Sequence, residues 1–145
     1  MNKHEYNVSL VWKEGRKGEI TSPELNTEIE VATPPQFDKG VAGIWSPEPL
    51  FTASVLSCYM TTFLAIADYS KLEHDSFDCS AIGVLEQIDG KYLMTVINLS
   101  AQLRLPNSEK KDRAERILQK AEAACLITNS IKSAVTLTSN ITTKN

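Results

Sequence analysis

The chain reads as an α+β domain with the element order βββ-α-ββ-α-β, and three observations carry that reading. Residues 50–67 form an uncharged run of 18 residues whose apolar side chains fall on every side of a helical wheel, so a helix here must be covered all round. Two turn signals, Gly15-Arg16-Lys17-Gly18 and Asp89-Gly90, sit between segments that alternate or are rich in β-formers, the pattern of hairpins. Ala114, Ile117, Leu118, Ala121, Ala124 and Cys125 recur at helical spacing opposite Lys110, Lys111, Asp112, Glu115 and Arg116, which marks a second, amphipathic helix. Hairpin connections predict antiparallel sheets, hence α+β and not a doubly wound parallel sheet.

Taken in order, residues 6–12 alternate apolar and polar side chains and predict a half-buried first strand. Gly15-Arg16-Lys17-Gly18 turns the chain, its two glycines expected to supply positive φ, and a second strand starts at Glu19. A third short strand covers residues 28–31. Residues 33–45, with two prolines and two glycines, predict a loop long enough to be a lid, a dimer contact or a mobile segment. Ser46 is placed to cap the central helix, with Pro47 or Pro49 in its first turn, where a missing N–H costs nothing. Glu48, preceding a proline, is expected just outside that helix. Two strands follow at residues 79–87 and 91–105. Asn107 or Ser108 is the expected cap of the second helix, which should run to about Thr128. Residues 133–142 form a last strand, and Lys144-Asn145 a frayed end.

Length and composition narrow the function. A chain of 145 residues fits one domain, residues 1–145, with a real core. The 15 basic and 18 acidic residues give a net charge of -3, and no basic patch interleaved with aromatics appears, which argues against nucleic acid as a partner. The run at 50–67 is at the lower edge of a membrane span. Its five Ser or Thr and the lack of a second such segment assign it to a soluble core, not a membrane. Met1-Asn2-Lys3-His4-Glu5-Tyr6 lacks the apolar core of a signal peptide, so cytoplasmic residence is the expectation. Cys58, Cys79 and Cys125 are an odd, widely spaced set, neither a secreted disulfide framework nor, with His4 and His74 standing alone, a metal site. In a reducing compartment their plain reading is three packed thiols.

Two constellations stand above that background. One is Cys58 on a hydroxyl-rich apolar helix, with Cys125 on the stripe of the second helix. The other is Arg16 with Glu48, two charges bordering the apolar middle of the chain. A thiol attacks as thiolate, and a neighbouring cation lowers its pKa. Arg16 is a candidate for that cation and Glu48 for the carboxylate that holds the guanidinium. Nothing in their spacing shows that these residues meet.

The stretch Ser46-Pro47-Glu48-Pro49-Leu50 through Cys58-Tyr59-Met60 resembles the signature helix of the OsmC and organic hydroperoxide resistance (Ohr-like) family of thiol peroxidases. There a Pro-Glu-x-Leu segment leads, ten residues after the Glu, into the peroxidatic cysteine. Gly15-Arg16-Lys17-Gly18 resembles the family's Gly-Arg-x-Gly turn, and Ala121-Glu122-Ala123-Ala124-Cys125 its resolving-cysteine helix; the order of elements agrees over nearly the whole chain. Leu126 departs from the family pattern, which has proline after the resolving cysteine, and Cys79 matches no motif.

The resemblance implies an intertwined homodimer with the central helices buried between two sheets and the sites at the subunit interface. It also implies an antioxidant, cysteine-based peroxidase active in oxidative stress, reducing organic hydroperoxides and hydrogen peroxide less well. Cys58 is then the peroxidatic thiolate, Cys125 its resolving partner, and Arg16 with Glu48 the activating pair. No metal or organic cofactor is needed; an external dithiol, such as a lipoylated protein, restores the thiols. A non-catalytic binder of an apolar ligand and a redox sensor on the same fold are the alternatives. Glu48 precedes Cys58 by ten residues of helix, so the two are separated by roughly 15 Å along the axis and point about 80° apart. Without a break in that helix, Glu48 is expected to serve Cys58 of the other subunit.

Overall fold

In the computed structural model, which describes residues 2–144, the chain divides into two compact units that join in sequence between Leu50 and Phe51. The expectations for Met1 and Asn145 lie outside the described residues. The elements are β1 (Ser9–Glu14), β2 (Lys17–Ser22), β3 (Leu25–Ala32), α1 (Pro47–Tyr69), β4 (Ser76–Ile88), β5 (Lys91–Leu105), α2 (Lys111–Ala124), a 3-10 turn (Thr128–Ser130) and β6 (Ala134–Thr143). This is the α+β order that the sequence predicts.

The first unit is an antiparallel sheet in the order β1-β2-β3. Its first turn uses one glycine as expected, Gly15 at φ +51. Gly18 does something else: it lies inside β2, paired with Trp12 on one side and Val31 on the other. A Cβ there would come within 3.1 Å of the Val11 carbonyl oxygen, so close approach, not positive φ, is what requires glycine. The segment from Thr33 to Trp45 is ordered by its own hydrogen bonds: Phe37 N–H to the Pro34 carbonyl, Gly40 N–H to Phe37 and Val41 N–H to Thr33. Trp45 closes it by accepting from the Ala32 N–H and bridging Val31.

α1 starts at Pro47, and Leu50 N–H returns to the Ser46 carbonyl. Glu48 therefore sits inside the first turn, not outside it. The first turn tolerates the two prolines because its N–H groups have no helical partner to lose, and a carboxylate there complements the helix dipole.

The second unit is the sheet β4-β5-β6 covered on one face by helix. β4 and β5 are antiparallel through Asp89 (φ 51) and Gly90 (φ 78), a two-residue turn with both φ positive as a tight hairpin demands. β6 runs parallel to β5, the exception to the predominantly antiparallel pairing expected from the hairpins. The cause is α2, which carries the chain back across the sheet, the crossover that a parallel pair needs. On β5, Ile97, Leu99, Ala101, Leu103 and Leu105 are buried while Asn98, Gln102 and Arg104 are exposed. On the open face, Asn98 accepts from Thr136 and Gln102 from Asn140.

Only one stripe of α1 enters this core: Val55, Tyr59, Phe63 and Ala67. Phe63 stacks on Phe77 with centroids 4.3 Å apart, and the Tyr59 hydroxyl donates to the Leu118 carbonyl at 3.0 Å. By length and composition α1 would also suit a bilayer. Each large side chain in the stripe contributes about 1.5–3 kcal/mol by burial, which accounts for its place against the sheet. Met60 and Leu64 on its other side stay 41% and 40% exposed, so the all-round cover expected from the sequence is absent in one chain.

α2 also departs from expectation at both ends. It begins at Lys111 with Lys110 as an uncapped N-cap, because the Asn107 side chain is spent on the Glu109 N–H in the preceding turn. It ends at Ala124, not near Thr128. Cys125 turns extended (φ -64, ψ 116), and Ile127 and Ile131 then pack against the core. Asn129 and Ser130 side chains satisfy the carbonyls of Ala123 and Leu126. Lys144 is tied down by its N–H to the Leu105 carbonyl, not frayed.

Candidate active site

The structure brings Cys58 and Cys125 together within the second unit, both as free thiols. Cys58 lies in the third turn of α1, half-buried, with Sγ 3.9 Å from Thr62 Oγ1 one turn on. The end of α2 closes over it. Burial opposes ionisation of Cys58, but the Ile127 N–H, the Cys125 thiol, the Thr62 hydroxyl and the Leu126 N–H outweigh it, and its pKa lies below the ordinary 9.0. Such donors favour the charged form of the group they bond.

Cys125 responds in the opposite sense. Burial and its position as donor to Cys58 hold its pKa above 9.0, against the opposing pull of the Thr128 hydroxyl and N–H. The two neighbouring sulfurs thus shift in opposite senses, Cys58 towards greater acidity and Cys125 towards less. Cys79, on β4, is also raised, by burial, with only the Ser100 N–H favouring ionisation, as the packing reading expects.

Arg16 and Glu48 belong to the first unit. Both line a cavity of about 590 Å³ whose other walls include Leu10, Trp12, Ile20 and Phe37. Arg16 is fixed by its backbone: Trp12 Nε1 donates to the Gly15 carbonyl at 2.9 Å, and the Arg16 carbonyl accepts from the Thr33 N–H. Arg16 and Glu48 thus line one apolar-walled cavity. Among the described residues, no group of three or more His, Cys, Asp or Glu side chains comes together as metal ligands would.

The sequence reading missed Thr62, Leu126, Ile127 and Thr128. Thr62 was findable, since a residue four ahead on a helix shares the face of Cys58. The amides were hidden by the expected extension of α2, which would have spent them on helical hydrogen bonds.

Comparison with known sequences matches residues 37–140 to the OsmC-like protein family. The chain belongs to this family. It is 25% identical to YmaD of Bacillus subtilis, an uncharacterized protein, over 94% of this chain and 93% of that one. It is 26% identical to an organic hydroperoxide resistance protein-like protein of Staphylococcus aureus (strain MSSA476), over 77% of this chain and 76% of that one. Its fold matches that of an OsmC-like protein of unknown function from Vibrio cholerae with a TM-score of 0.84 and 22% identity, covering 95% of this chain and all of the other. Membership in the OsmC-like family suggests a peroxide-related redox function.

Proposed function

We propose that this OsmC-like protein is a thiol peroxidase that reduces organic hydroperoxides through Cys58 and Cys125. The observation that carries the reading is the opposed acidity of two adjacent sulfurs, Cys58 lowered and Cys125 raised. A thiol more acidic than usual beside a second thiol held in reserve is what a two-cysteine peroxidase requires.

The Cys58 thiolate attacks the terminal oxygen of the hydroperoxide. The O–O bond breaks, the alkoxide leaves with a proton as the alcohol, and Cys58 becomes a sulfenic acid. Cys125 then loses its proton and attacks the Cys58 sulfur, expelling the hydroxyl as water and closing a disulfide. An external dithiol, such as a lipoylated protein, reduces that disulfide by exchange. The proton of Cys125 is retained until it is needed, because the Cys58 thiolate it donates to disfavours its loss.

The working unit in this reading is a cytoplasmic homodimer. Arg16 and Glu48 of one subunit serve Cys58 of the other, and the apolar walls beside them suit an alkyl hydroperoxide better than a small hydrated one. The unbroken run of α1 from Pro47 to Tyr69 supports donation across the interface, since no kink brings Glu48 round to its own Cys58.

Steady-state consumption of cumene hydroperoxide with an excess of dithiol is the test. Repeated turnover, lost in Cys58→Ser, is expected. A single equivalent consumed per Cys58 would make the protein a redox sensor, and none at all a binding module for an apolar ligand.

A further inference from the structure

We infer that Thr62 is a positioning residue for Cys58, its hydroxyl donating to the sulfur when Cys58 is a thiolate. This rests on the reading of Cys58 as the nucleophile and assigns a side chain of the same helix to holding it.

The contact follows from the helix. Thr62 stands four residues after Cys58 on α1, and residues so spaced share one face. Cys58 Sγ and Thr62 Oγ1 are 3.9 Å apart, a long hydrogen bond to sulfur in which either atom can donate while Cys58 is a thiol. A thiolate has no proton to give, so in the ionised state only the hydroxyl can donate, and a donor to the charged form favours that form. Both residues are half-buried, which partly shields the contact from water.

Thr62 differs from other hydroxyl residues of this stretch. Ser54 Oγ donates to the Phe51 carbonyl at 2.7 Å, Ser57 Oγ to the Ser54 carbonyl at 3.3 Å and Thr61 Oγ1 to the Cys58 carbonyl at 3.1 Å. Each of these hydroxyls is spent on the preceding turn, the usual local bond of Ser and Thr on a helix. The carbonyl that Thr62 would use in the same way is that of Cys58. It already takes the Thr61 hydroxyl and the Thr62 N–H of the helical ladder. A carbonyl oxygen has two lone pairs, so the Thr62 hydroxyl is left to the sulfur.

The edge of α1 that carries both residues is fixed from behind. Tyr59 and Phe63, each the next residue in sequence, are fully buried. The Tyr59 hydroxyl is held by the Leu118 carbonyl and Phe63 stacks on Phe77, so the helix cannot roll. Thr62 is β-branched and has few χ1 choices on a helix. Its hydroxyl is therefore in place before the sulfur ionises, as a preorganised donor must be.

Thr62→Val removes the hydroxyl and keeps the side-chain shape. The readout is the rate of iodoacetamide alkylation of Cys58 against pH, followed on the Cys58 peptide by mass spectrometry, which needs no peroxidase activity. The midpoint should rise by about half a pH unit and the rate below it fall about threefold, the size expected for one long, partly shielded hydrogen bond to a charged group. Thr62→Ala, a stronger helix former, removes the same hydroxyl and should shift the midpoint as far, so a folding defect in Thr62→Val does not decide the result. Thr62→Ser keeps the hydroxyl and should restore the wild-type profile. Ser57→Ala, which removes a neighbouring hydroxyl bonded to a carbonyl, should leave the profile unchanged. A Thr62→Ala profile that overlays the wild type overturns the assignment, and so does a shift in Thr62→Ser or Ser57→Ala equal to that of Thr62→Ala. Alkylation that behaves as expected without any peroxide turnover would instead count against the peroxidase reading and leave the role of Thr62 standing.

Discussion

The three cysteines of the chain divide in acid–base terms, one lowered and two raised, by the balance of burial against neighbouring donors. Cys58 has more donors than its burial can offset; Cys79 and Cys125 do not. The consequence for stability has a definite sign. Cys58 ionises more readily folded than unfolded, so its contribution is complete above pH 9.0 and is lost as pH falls through its lowered folded value. For Cys79 and Cys125 the contribution is complete below 9.0 and is lost as pH rises through their raised folded values. Urea midpoints under reducing conditions should therefore show Cys58→Ser losing ground to wild type as pH rises towards 9.0. A difference that stays flat with pH would contradict the lowered pKa. The same residues separate the two resolving candidates. Under one equivalent of hydroperoxide, peptide mapping should find the disulfide Cys58–Cys125 in both the wild type and Cys79→Ser. Cys125→Ser should stop after one turnover with Cys58 overoxidised. A Cys58–Cys79 disulfide would remove Cys125 from the resolving role.

At the scale of elements, the start of α1 packs closely on the β4-β5 hairpin at Gly83. A Cβ on Gly83 would collide with Thr52 Oγ1 and come within 2.9 Å of Met94 Cε. Gly83→Ala should therefore destabilise by about 1–3 kcal/mol, as overpacking does, and Thr52→Ala in the same chain should recover part of it, because the two changes share one space. Equal denaturation midpoints for Gly83→Ala and wild type would show that the seam yields freely. Gly83 lies within a run of apolar strand residues, and nothing in the sequence says which helix crosses it. That marks the general division. The elements were legible because each rests on local periodicity: the alternation on β5, the stripe of α2 and the Asp89-Gly90 turn are all visible in the residues themselves. The parallel pairing of β6 depended on the direction of a crossover, and the early stop of α2 on Ile127 and Ile131 being drawn into the core. Both are tertiary effects without a local glycine or proline to announce them. Cys58 and Cys125 could be named from their residue types and from resemblance, but the amides beside them are carried by backbone conformation, which side-chain identity does not encode.

At the scale of the whole molecule, one chain leaves apolar surface in both units. Leu10 and Trp12 on β1 are 61% and 68% exposed, and Met60 and Leu64 line the open side of α1. A homodimer that covers these surfaces is the proposed working unit, and its site is proposed to draw Cys58 and Cys125 from one subunit and Arg16 with Glu48 from the other. A mixed dimer distinguishes this from an in-chain site. One chain carries Cys58→Ser; the other carries Arg16→Ala and Glu48→Ala. With sharing across the interface, one site combines the mutant serine with the two alanines and is lost, while the other combines an intact Cys58 with intact Arg16 and Glu48. About half the wild-type activity should then survive, since the two sites of a symmetric dimer are equivalent. If each chain supplies its own Arg16 and Glu48, the first site lacks the nucleophile, the second lacks the activating pair, and activity should nearly vanish. Each parent homodimer is defective in both sites under either arrangement, so activity appearing on mixing comes only from chains that complement each other. A mixed dimer no more active than its parents would sink the shared site.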